Sequence, residues 1–154
     1  MILSDCFARA AALITLAIAA PAALAQQAEP TQLGNFGAWT AYTYKAADTK
    51  VCYVVAQPSD SKSTRKVKRD PVFFIVTNMP GRKISGEVST IIGYPFKEQS
   101  TVDIQVDKVA FKLFTKGDGA WAESSEMEKK IVAAMKNGKD LTVKGTSWKG
   151  TQTT

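Results

Sequence analysis

Pro71-Val72-Phe73-Phe74-Ile75-Val76-Thr77-Asn78 holds five consecutive apolar residues, rich in aromatic and β-branched types, between Pro71 and the turn signal Asn78-Met79-Pro80-Gly81. Such a run predicts a strand buried on both faces. Burying each of these side chains is worth roughly 1.5 to 3 kcal/mol, so neighbouring strands are expected to assemble on this one. Pro80-Gly81 suits the two central positions of a type II turn, proline presetting φ at the first and glycine accepting a positive φ at the second. A hairpin partner should follow, and residues 85–92 supply it.

Further along, Gly93-Tyr94-Pro95-Phe96 breaks the pattern, and residues 101–106 then alternate, with Val102, Ile104 and Val106 opposite Asp103 and Gln105. This is the pattern of a half-buried strand. Val109, Phe111 and Leu113 repeat it after a tight connection at Asp107-Lys108, and Lys116-Gly117-Asp118-Gly119 turns the chain into Ala120-Trp121. Ser125-Glu126-Met127-Glu128 reads as a capping box, and Met127, Ile131, Ala134 and Met135 follow at helical spacing until Asn137-Gly138. Leu141 and Val143 alternate in a last strand before Trp148-Lys149-Gly150.

Towards the N-terminus, residues 50–57 predict a strand stopped by Pro58, and residues 36–44 the first strand of the fold. About seven short strands with one helix leave too few helices for parallel crossovers. The expected fold is all-β, mainly an antiparallel sandwich or barrel-like sheet, with one short C-terminal α-helix. Residues 36–154 form this single β-rich domain, and residues 26–35 read as a flexible leader. Residues 1–25 read as a cleaved signal peptide: a short charged region ends at Arg9, an apolar run follows, and Ala23-Leu24-Ala25 is a small-x-small cleavage signal. The mature chain is expected to be exported through the inner membrane, to the periplasm, the outer membrane or the medium.

With Cys6 in the signal peptide, Cys52 is the one cysteine of the mature chain, in a compartment where thiols oxidise. Its setting, Val51-Cys52-Tyr53-Val54-Val55, favours packing or a disulfide over catalysis. The chain has no histidine, which removes Ser-His-Asp and Cys-His arrangements and the commonest general base near neutral pH. A glycosidase-type carboxylate pair would have to come from Glu87, Asp103, Asp107, Asp118 and Glu123, each in a turn or on a polar strand face, and nothing singles out a serine for a Ser/Lys dyad. No phosphate-binding glycine loop stands between a strand and a helix. The expectation is a protein without enzymatic activity, cofactor or metal.

The net charge of +6 favours anionic partners, and export argues against nucleic acid. Lys62, Arg65, Lys66, Lys68 and Arg69 stand within eight residues of the polar segment between the second and central strands. They are the candidate contact for an anionic lipid or glycan, each cation contributing up to about 1 kcal/mol near an anionic membrane. A solvated connection is the plainer alternative. Tyr94, Phe96, Trp121 and Trp148 could close the core or form an exposed aromatic patch.

Taken together, these segments resemble the invasion-associated locus B family. The resemblance rests on Phe36-Gly37-Ala38-Trp39, Lys50-Val51-Cys52-Tyr53 with Gln57-Pro58, Gly93-Tyr94-Pro95-Phe96, and Phe111-Lys112-Leu113-Phe114-Thr115 with Gly117-Asp118-Gly119-Ala120-Trp121. Val132-Ala133-Ala134-Met135-Lys136 and Gly145-Thr146-Ser147-Trp148-Lys149-Gly150-Thr151 complete it. It implies a small β-rich envelope or secreted protein of Gram-negative, mainly alphaproteobacterial, cells, linked in some pathogens to entry into host cells. It supplies no catalytic residue. Two roles follow as expectations: binding at the envelope or a host-cell surface, or, alternatively, a periplasmic envelope-stress or assembly factor with no host role. The resemblance also implies a further strand, a short helix and a second cysteine after the Gly-Thr segment. Since the sequence stops at Thr154, the expectation is a truncated member whose Cys52 lacks its disulfide partner, a loss that costs about 2 to 5 kcal/mol.

Overall fold

The computed structural model describes residues 29–154; the expected signal peptide, its cleavage point and Cys6 lie outside the described residues. Ten strands join in one antiparallel ladder: β1 (Thr31–Phe36), β2 (Trp39–Lys45), β3 (Lys50–Ala56), β4 (Phe73–Met79), β5 (Ile84–Ile91), β6 (Thr101–Val106), β7 (Val109–Lys116), β8 (Gly119–Trp121), β9 (Leu141–Thr146) and β10 (Gln152–Thr153). Their spatial order is β1-β2-β3-β4-β5-β8-β7-β6-β9-β10. The one α-helix among the described residues, α1 (Ser125–Asn137), packs on β5 and β6. The antiparallel architecture and the single C-terminal helix are as the sequence predicts.

Cross-strand register assigns the faces. Phe74, Val88, Thr90, Val102, Ile104, Leu113 and Ala120 share the face that carries α1, and Ile131 of the helix is buried against it. Trp39 and Val76 from one half of the ladder and Leu141 and Val143 from the other pack on this same cluster. The alternation read in β6 is seen directly, Val102, Ile104 and Val106 being buried and Thr101, Asp103 and Gln105 exposed.

Several expectations are corrected. The central strand β4 is buried on one face only: Phe74 is in the core on the side that α1 covers, whereas Phe73 and Ile75 point to the opposite face and are half-buried. Part of the expected leader is strand β1, and the expected first strand is instead a hairpin, turning at Gly37-Ala38 with Gly37 at φ 63°. Most of β1 is exposed, so the ladder with β2 rather than burial holds it. Pro80–Arg82 is a 3₁₀ turn instead of a type II turn, and Lys83 takes the positive φ of 57°. Gly81 is needed for a close approach: its amide donates to Thr49 Oγ1 at 2.9 Å, and a Cβ would sit 2.8 Å from that side chain.

The helix cap is Ser124, whose hydroxyl accepts from the Met127 amide at 3.2 Å, one residue before the expected Ser125. At Gly138 the helix ends in extended backbone, φ −86°, where a Cβ would meet Val106 Cγ1 at 2.5 Å. The β9–β10 hairpin extends the ladder beyond the strand expected to be last.

Candidate interaction surface

The basic segment runs along the β10 edge. Lys62 and Thr154 exchange both backbone hydrogen bonds at 2.8 Å, the Thr64 amide donates to the Gln152 carbonyl at 3.0 Å, and the Gln152 amide donates to Thr64 Oγ1 at 3.2 Å. The chain bends at Thr64 and Arg65, where Ser63 Oγ donates to the Arg65 carbonyl at 2.6 Å, and by Arg69 it has returned to Ser61, whose hydroxyl meets the Arg69 guanidinium. At its far end the Asp70 amide donates to the Gly93 carbonyl at 3.0 Å. Gly93, at φ 75°, allows this contact because a Cβ there would stand 2.1 Å from the Asp70 carbonyl oxygen.

This fixed path leaves the charges outward. Lys62, Arg65, Lys66 and Lys68 are exposed and Arg69 is half-buried. Among the described residues the ion pairs are Arg82–Asp48 at 2.9 Å and Lys112–Asp103 at 2.6 Å, and neither uses these five cations. Asp60 and Asp70 flank the segment and offset part of its field. Such a cluster can hold several anionic groups at once.

The four aromatic candidates do not form one patch. Phe96 is core, Tyr94 stands edge-on to it at 6.3 Å and donates its hydroxyl to Thr153 Oγ1 at 2.7 Å. Trp121 lies on the face away from the helix, 6.0 Å from Phe114. Trp148 alone stands out, 62% exposed at the tip of the β9–β10 hairpin with Lys149 Nζ 4.9 Å from its ring centroid. The basic segment meets this hairpin at Gln152, the residue after the tip, where Thr64 lies across from it. Local sequence could not pair residues so far apart in the chain; the only local signal was the Trp148-Lys149-Gly150 turn, with Gly150 at φ 77°.

Cys52 is half-buried and unpaired among the described residues, its sulfur 3.5 Å from Thr43 Oγ1. Of the candidate carboxylates, Asp103 pairs with Lys112, and Asp107 accepts the amides of Lys139 at 3.1 Å and Asp140 at 3.0 Å, tying the α1–β9 connection to β6. Glu123 is exposed, and Asp118 lies in the β7–β8 turn. Glu87 adds its charge to the burial that pushes the Glu128 carboxyl above its ordinary value. No three His, Cys, Asp or Glu among the described residues converge as a metal site. Between α1 and the sheet lies an apolar groove of about 350 Å³, walled by Trp39, Val54, Val76, Val132, Met135 and Leu141.

Fold and surface together define a small antiparallel β-domain with one covering helix and a basic edge. The chain belongs to the invasion associated locus B (IalB) family, whose model matches residues 39–154. The match takes in β2 to β10 and leaves β1 before it. Neither the curated proteins nor the solved structures gave a significant match.

Proposed function

We propose that this protein is an exported, non-enzymatic binding protein of the bacterial envelope, and that the cations at 62–69 are its contact with an anionic partner. Membership of a family linked to invasion supports the biological setting. The observation that carries the molecular reading is the fixed course of the basic segment: its backbone is tied to Thr154, Gln152 and Gly93, while its charges make no ion pair among the described residues. A flexible solvated connection would have no need of anchors at both ends. A cation cluster held in place loses less conformational entropy when it meets its partner.

The test replaces Lys62, Arg65, Lys66, Lys68 and Arg69 together by Ser. The wild-type chain should bind immobilised heparin and anionic vesicles less well as salt rises, and the variant should lose both the binding and its salt dependence. Equal binding by the two would sink the proposal. Exposure of the protein on intact cells to added protease checks its place in the envelope: digestion favours a host-facing surface, and protection until the outer membrane is opened favours a periplasmic role.

A further inference from the structure

We propose that the 62–69 segment and the neighbouring hairpin tip at 147–151 form one docking site for an anionic lipid surface, with Trp148 entering the interfacial layer. The inference rests on the reading of the basic segment as an anionic contact, and it names the partner.

The tip is rigidly rooted. The Ser147 amide donates to the Thr151 carbonyl at 2.9 Å, the Thr151 amide to Ser147 Oγ at 3.0 Å, the Gly150 amide to the Ser147 carbonyl at 2.8 Å, and the Trp148 amide to the Pro95 carbonyl at 3.0 Å. Ser147 and Thr151 are buried beneath it. Tryptophan 148 is therefore presented outward by a braced turn, in contrast to Trp39, which packs edge-on against Phe74 at 6.2 Å.

Its neighbours make the case for lipid. An indole has an apolar body and a polar N–H, the combination that settles at membrane–water interfaces. Lys149 Nζ lies 4.9 Å from the ring centroid, and the Thr64 amide on the Gln152 carbonyl sets the Thr64–Arg65 bend against β10, the strand that leaves the tip. Clustered cations attract anionic headgroups, and an apolar residue among them adds burial that a purely electrostatic contact lacks. A sulfated glycan would meet the same cations through its sulfates; entry of the indole into an interfacial lipid layer is what distinguishes the lipid reading from it.

The test uses the chain as the producing cell processes it, so that any apolar N-terminal residues are the same in every variant. Binding to vesicles of phosphatidylglycerol and phosphatidylcholine is compared with binding to phosphatidylcholine alone. Lipids brominated near the headgroup should quench the fluorescence of wild-type protein, and this quenching should vanish in Trp148→Phe. Trp148→Ala should weaken vesicle binding several-fold while leaving heparin retention and the unfolding midpoint unchanged. Anionic vesicle binding without quenching, and equal in Trp148→Ala, would overturn the docking geometry and leave the electrostatic reading intact. Heparin retention without vesicle binding would overturn the lipid assignment in favour of a glycan. Failure to bind either probe would remove the proposed function itself.

Discussion

Gly93 carries the far end of the basic segment on one backbone contact. Its φ of 75° is open to glycine, and the space beside it is taken by the Asp70 backbone. Gly93→Ala combines left-handed strain with a contact that forces Asp70 away, so it should cost about 2 kcal/mol or more in urea unfolding and loosen the segment. A loss below about 0.5 kcal/mol would mean that the segment moves aside freely. At Glu128, burial first, and then the charge of Glu87, raises the carboxyl above its ordinary 4.5, against a lowering hydrogen bond with the Val88 backbone. The folded state thus holds this proton more tightly than the unfolded state. Stability falls as pH rises from the ordinary carboxylate value through the raised one, and is flat beyond. Glu128→Gln should match wild type below that window and exceed it at neutral pH, as read from denaturation midpoints. A variant weaker at neutral pH would mean that attraction of this glutamate to the helix N-terminus outweighs its burial.

At the level of elements, the helix tests how local a signal can be. Ser124 and Ser125 are both followed by acidic residues, and the capping-box spacing to Glu128 favours Ser125. The observed cap is Ser124, with β-region backbone and its hydroxyl on the Met127 amide. Ser124→Ala should cost about 0.5 to 2 kcal/mol, and Ser125→Ala almost nothing, in paired urea titrations. The reverse ranking would restore the capping box. Strands β6 and β7 were legible because alternation and the Asp107-Lys108 and Gly117-Asp118 turns are encoded over neighbouring residues. β1 was not, because a polar, exposed strand carries no burial signal and depends on its partner. Gly138 caps the helix as the sequence predicts, though in extended backbone with Val106 beside it, whereas Gly81 serves no type II turn: what requires glycine there is the close approach of Thr49, far along the chain. For the surface, the sequence displayed the charges; their anchoring to Gln152 and Thr154, and the separation of Trp148 from buried Phe96, arise only from tertiary pairing.

Across the whole molecule, β1 to β5 and β6 to β10 join where the short strand β8 pairs with β5: Ser89 with Trp121, Thr90 with Ala120, and Ile91 with Gly119. Three residue pairs are a slight seam for a ladder of this width. The core crosses it, however, because Phe74 and Val88 come from one side, Ile104 and Leu113 from the other, and α1 lies against β5 and β6. Neither half could bury its apolar face alone, so the domain should unfold in one cooperative step. Phe74→Ala should cost about 3 to 5 kcal/mol and Leu113→Ala about 2 to 5 kcal/mol. Each should move the same urea transition to lower midpoint with its slope unchanged, and tryptophan fluorescence should coincide with far-ultraviolet circular dichroism. Two separated transitions, each answering to only one of the substitutions, would show the halves to be independent folding units. In that case the basic edge, built from the β3–β4 connection on one half and β10 on the other, would come apart whenever either half opened.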